Sequence, residues 1–145
     1  MALKVDKVAV WTGEIEDRAG GLAAKLGPLA DAGADFDFVI ARRQPHLPGK
    51  GVVFLGPVSG AKQKKAAADV GLAEATDVVA LRVEGTDKPG AVYQICRQLA
   101  DAGINLRGLS AGTVGTRFVA FLGFDNAADA DKAAKLLRAG EGKKR

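Results

Sequence analysis

The strongest constraint on this chain is that it repeats itself. Sliding the sequence by 70 residues sets Asp17 on Asp87, Arg18 on Lys88 and Gly20 on Gly90, and sets "LADAG" at 29–33 on "LADAG" at 99–103. Self-similarity at a fixed spacing is the mark of one supersecondary unit used twice. The register then slips by about three residues, because "ARRQPHLPGKG" makes a longer hairpin loop than "AGTVGT". Beyond that loop "VVFLG" at 52–56 parallels "VAFLG" at 119–123.

Each copy reads as the same run of elements. An extended apolar segment comes first, Val8–Thr12 or Val78–Val83. A helix follows, which in the second copy sets Val92, Ile95, Cys96 and Leu99 at i, i+3, i+4, i+7, a single buried stripe. The glycine of "LADAG" suits the left-handed conformation that ends helices. Two strands follow, Phe36–Arg42 with Val52–Gly56 and Ile104–Ala111 with Phe118–Phe124; then a second helix, about Ser59–Asp69 and Ala127–Ala139, with Asp125 or Asn126 as cap of the latter. Residues 70–75 can supply a fourth strand to the first copy, whereas the second ends in "GEGKKR", so one of its sheet edges needs covering by the other unit or another chain. The reading is α+β, two ferredoxin-like βαββα(β) units in tandem, antiparallel sheets with helices on one face. The boundaries expected are 1–76 and 77–145, with a basic tail at 140–145. Pro28 falls inside the first helix, where it removes a backbone hydrogen bond and is expected to kink the helix.

Composition limits function more than it specifies it. No apolar run reaches the roughly 18 residues of a membrane helix, and the start lacks a signal-peptide layout. One cysteine leaves no internal disulfide and fits a reducing compartment, so the cytoplasm is expected. The net charge of +4 is dispersed: residues 1–76 carry ten basic against nine acidic side chains, and Lys62, Lys64 and Lys65 read as a solvated face rather than a nucleic-acid footprint.

The junction "TDKPG" at 86–90, repeated as "EDRAG" at 16–20, carries the functional reading. Asp87 suits an N-cap, and Pro89 falls in the first turn, where its missing N–H costs little. A glycine-opened helix start also presents free amides and the positive end of the helix dipole to a small anion such as a carboxylate. Asp87 can meanwhile meet an ammonium. Together these complement the backbone of an amino acid.

"TDKPGAVYQICRQLADAGINL" resembles the opening of an ACT domain, the small regulatory module that senses amino acids in many metabolic enzymes. The resemblance covers Asp77–Ala139 well and Val5–Ala75 more loosely. It implies domain pairing, with a ligand at the interface between paired domains. Carried over residue by residue, it implicates Asp87, Lys88, Gly90, Ala91, Val92 and Asn105, with Val92 and Leu106 as pocket walls. The matching first-unit positions are Asp17, Arg18, Gly20, Gly21 and Leu22. There Ala19 replaces the proline and Asp35 replaces Asn105, which makes this the weaker site.

Other chemistry is sparse. His46, the sole histidine, stands among Arg42, Arg43 and Lys50 in a hairpin loop. Cys96 reads as core, "GPVSGAKQKK" lacks the end of a phosphate loop, and no spacing suits a metal. Trp11 and the phenylalanines read as core rather than as an RNA-binding aromatic platform. The expectation is therefore a non-enzyme without cofactor or metal: a homodimeric allosteric protein binding an amino acid. Its rivals are a ligand-free dimerisation module or regulatory subunit of a separate metabolic enzyme, and, third, an RNA-binding ferredoxin-like protein.

Overall fold

A computed structural model describes residues 2–141. The chain divides into two compact units, and the division is not the expected one. Among the described residues, an outer unit combines 2–8 with 76–141, and an inserted unit spans 9–75.

In the outer unit the strands are β1 (Lys4–Val8), β6 (Val79–Thr86), β7 (Gly108–Val114) and β8 (Arg117–Phe124), in the order β1-β6-β8-β7 and all antiparallel. Helices α3 (Ala91–Asp101) and α4 (Ala127–Glu141) complete it. The edge that the sequence left bare is thus covered by β1, which pairs Lys4 with Glu84 through to Val8 with Ala80. This corrects the expected 1–76 boundary. The alternation of Leu3-Lys4-Val5-Asp6 suits any half-buried strand, but Leu3 and Val5 enter the same core as Leu81, Val83, Ile95, Leu99, Phe118, Leu122 and Leu137. The far edge of β1 is guarded by α4. Arg138 donates to the Val5 carbonyl at 2.7 Å, and Lys7 pairs with Asp131 at 2.7 Å.

The inserted unit holds β2 (Trp11–Glu16), β3 (Phe38–Arg43), β4 (Lys50–Gly56) and β5 (Ala73–Glu74), in the order β3-β4-β2-β5, with α1 (Gly21–Asp31) and α2 (Gly60–Asp69). Its core gathers Ile15, Leu29, Val53, Leu55, Val58, Ala67 and Leu72, with Trp11 packed against it. Expected fourth strand 70–75 shrinks to two paired residues.

The repeated "LADAG" is a helix stop. In α3 the Gly103 amide donates to Ala100 at 3.0 Å and the Ile104 amide to Leu99 at 2.9 Å, with Gly103 at φ +74°. This is the Schellman arrangement, and Ile104 and Leu99 share the core as its hydrophobic contact. Gly33 and Ala34 do the same to Ala30 and Leu29 in α1. The start of α4 is capped by Asn126, whose side-chain oxygen accepts from the Asp129 amide at 2.8 Å. Helix α1 continues through Pro28 and is as long as α3; Pro28 and Ala24 lie on the exposed face, where water can take the carbonyl that proline leaves unbonded. One expectation is corrected. Cys96 is only half-buried and lies outside the core, unlike Ile95 and Leu99 beside it. No helix among the described residues is long and apolar enough to cross a membrane.

Candidate functional site

Both repeated junctions fold into the same turn. After β6, the Ala91 amide donates to the Lys88 carbonyl at 3.1 Å, closing a four-residue turn. Gly90 sits at φ +82°, ψ +2°, the third position of a type II β-turn, which demands a positive φ; Pro89 occupies the second, where its fixed φ is favoured. In the inserted unit the Gly21 amide donates to Arg18 at 2.9 Å, with Gly20 at φ +88°, ψ −9°.

This geometry corrects the expected cap. Gly90, not Asp87, is the cap residue of α3, and no side chain caps that helix. Asp87 still belongs to the strand ladder: its amide donates to Thr116 at 2.9 Å. The turn then places three residues between ladder and helix, out of capping reach. The first helical hydrogen bond runs from Gln94 to Gly90, so the amides of Val92 and Tyr93 are left to water or a ligand. The same holds for Leu22 and Ala23, since Ala24 donates to Gly20.

Around these turns the predicted residues divide by exposure. Asp87, Lys88, Gly90 and Asn105 are exposed, Ala91 is buried, and Val92 and Leu106 are half-buried against the outer core. Asp17, Arg18, Gly20 and Asp35 are exposed, Gly21 is buried and Leu22 is half-buried. A shallow pocket of about 210 Å³ brings Asp17, Arg18 and Leu22 together with Ile15, Arg42 and Arg43. Gly21 is forced by packing: a Cβ there would lie 2.0 Å from the Glu16 carbonyl.

The two sites differ in charge. Asp17 is held by Arg43 of β3, at 2.7 Å to Nε and 3.4 Å to Nη2, and this contact raises the Arg43 pKa. Glu16 pairs with Lys50 directly across the β2–β4 ladder at 2.7 Å; that bond lowers the Glu16 pKa and raises that of Lys50. In the outer unit Thr113 stands where Arg43 would be, and Asp87 makes no ion pair among the described residues. Sequence reading missed Arg43, which it had placed in the His46 loop; the 70-residue comparison of Arg43 with Thr113 is the signal that could have separated the sites. His46 is exposed in that loop. On the helix-free face of the outer sheet Glu84 accepts from Arg82 at 2.7 Å and Arg117 at 3.1 Å, and these bonds hold its carboxyl below the usual range. Among the described residues, no group of three His, Cys, Asp or Glu could hold a metal ion.

Comparison with known proteins rests on structure alone. No family model matches the chain, and no curated protein matches it by sequence. Among solved structures, the regulatory subunit of aspartate kinase from Thermus thermophilus, in a ligand-free form, superposes with a TM-score of 0.65 at 17% identity, over 96% of each chain. The fold is that of a tandem ACT protein. A protein of Bacteroides thetaiotaomicron superposes with a TM-score of 0.77 at 15% identity, over 96% of this chain and 90% of that one. Aspartokinase III of E. coli, solved with aspartate and ADP, gives 0.64 at 14% identity, over 98% of this chain and 33% of that one. At such identities the likeness is one of fold. Within it, the outer unit, which carries Asp87, keeps the less encumbered junction.

Proposed function

We propose that this chain is a cytoplasmic, non-catalytic regulatory protein that binds an amino acid at its ACT-type junctions and passes that state to a metabolic enzyme. The observation that carries the reading is the duplicated type II turn, which opens each first helix with unbonded amides. At the outer junction the turn joins this helix start to Asp87 at the end of the ladder, a carboxylate with no ion-pair partner among the described residues. Amides and helix dipole suit the ligand carboxylate, and Asp87 suits its ammonium. Lys88, Asn105 and the walls Val92 and Leu106 complete the outer site. Asp17, Arg18, Gly20, Gly21 and Leu22 form the lesser one, because Arg43 occupies Asp17.

The exposed sheet edges support pairing between copies. Strands β3 and β7 end their sheets, and Val39 and Leu109, equivalent in the repeat, are 40% and 38% exposed on them. A homodimer through these edges would set junctions near a shared interface, and a ligand favouring one pairing shifts its population by about 1–3 kcal/mol of coupling. Calorimetry of the full chain against the twenty amino acids tests the proposal. A saturable heat for at least one, lost in Asp87→Ala, is expected; silence across the panel at millimolar ligand refutes it. The bound carboxylate at Asp17 favours a second reading, an assembly module without ligand. That reading predicts a dimer by size exclusion, co-purification with a catalytic partner, and no response to any amino acid.

A further inference from the structure

The two units differ at one sheet edge, and the difference describes a peptide site. Asp17 donates across to Gly49 of the β4 side, and the Val10 carbonyl accepts from Ala75 of the β5 side. Even-numbered residues of β2 therefore turn their backbone N–H and C=O away from β4. Strand β5 meets only Trp11 and Thr12, so the N–H and C=O of Glu14 have no strand partner. In the outer unit the equivalent residue, Glu84, is faced by Lys4 of β1. The molecule thus carries its own template for what fits this edge: an extended segment, antiparallel, with a lysine opposite the glutamate.

Charge and shape sharpen the occupant. The open edge lines a pocket of about 400 Å³ with Glu14, Glu16, Lys25, Lys50, Asp69 and Val70. Glu16 is paired with Lys50, Asp69 with Lys65, and Lys25 donates to the Val70 carbonyl. Glu14 is exposed and makes no ion pair among the described residues, whereas Glu84 is held by Arg82 and Arg117. The lane is blocked at one end, since the Leu72 side chain and the Gly71 carbonyl crowd Gly13, at 2.7 and 2.8 Å from where its Cβ would stand. From Gly13 to Glu16 a strand advances about 10 Å, room for two or three extended residues. An antiparallel segment entering opposite Glu16 must end opposite Glu14.

We propose that this edge binds the C-terminal end of an extended peptide whose last residue is lysine or arginine. The last residue's N–H donates to the Glu14 carbonyl, its terminal carboxylate accepts from the Glu14 N–H beside Lys25, and its side chain pairs with the Glu14 carboxylate. This goes beyond the amino-acid reading: Arg18 and Gly21 of the inserted unit's turn also border the pocket, but the contacts proposed are made by Glu14 and Lys25. The test uses the full chain with acetyl-Ala-Val-Lys as free acid and as C-terminal amide, followed by amide exchange and calorimetry. The acid is expected to slow exchange at the Glu14 amide, and its affinity to fall at least tenfold in the amide form and in Glu14→Lys. Glu14 is exposed, so folding of the variant is checked by circular dichroism, with Glu14→Gln and Lys25→Met as milder second variants. Equal binding of acid and amide, slowed exchange on β6 rather than β2, or no effect at millimolar peptide would overturn the proposal.

Discussion

The pairing of β1 with β6 makes an unusual demand: a mutation beside the inserted unit in sequence must damage the outer unit. Leu3 and Val5 are 7% and 5% exposed, both in the outer core. Truncating both to alanine removes five buried carbons. At about 0.8 kcal/mol per methylene the transfer loss is about 4 kcal/mol, and incomplete collapse of the cavity adds to it. A domain is commonly stable by about 5–15 kcal/mol, so the outer unit would keep only part of its margin. Hydrogen exchange resolved by peptide reads this directly. Slow amides of β6 and β8 should lose about a thousandfold in protection, at about 1.4 kcal/mol per decade. Strands β2 and β4 should hold, and the sole tryptophan, Trp11 in β2, provides an independent optical probe of the inserted unit. Loss confined to β2 and β4, with β6 and β8 unchanged, would refute the assignment of β1 to the outer sheet.

Three further outcomes are expected. Gly90→Ala forces a side chain to φ +82° and should cost about 1–2 kcal/mol by thermal denaturation; a neutral result would contradict the type II turn. Size is exchanged between the units at one cross-strand pair, Ile15 opposite Gly51 and Gly85 opposite Phe118, and a Cβ on Gly85 would stand 2.9 Å from both Leu3 and Phe118. Gly85→Ala should therefore cost about 1–3 kcal/mol, and a double-mutant cycle with Phe118→Leu should show relief rather than additivity. The lowered Glu84 carboxyl adds stability that is present above its unfolded pKa, about 4, and is lost as pH falls through the lower folded value. Acid titration of stability should flatten in Glu84→Gln, and an unchanged slope below pH 4 would remove Glu84 from the account.

What the sequence disclosed was local. "LADAG" is a helix stop wherever it stands, because the glycine, the leucine and the apolar residue beyond it lie within one turn. The turn at Lys88–Ala91 was half visible: its glycine was marked, but the aspartate was assigned the cap that the turn moves to Gly90. Pairing at a distance was not legible. Nothing in Leu3-Lys4-Val5-Asp6 names β6 as its partner, since alternation fixes which face is buried and not which strand lies alongside. Arg43 reaches Asp17 only because the β3–β4 hairpin folds back, a contact 26 residues away in sequence.

The insertion also sets an order of events at birth. Residues 4–8 are made before the inserted unit, yet their partner strand begins at Val79, after the whole of that unit. At about 5–20 residues per second the interval is roughly 4–15 s, long enough for the inserted unit to close upon itself. Strand β1 then waits for the rest of the outer sheet as an exposed Leu-Lys-Val-Asp-Lys-Val ribbon beside an inserted unit already made. Its charges, Lys4, Asp6 and Lys7, disfavour pairing of that waiting ribbon with other chains before β6 arrives.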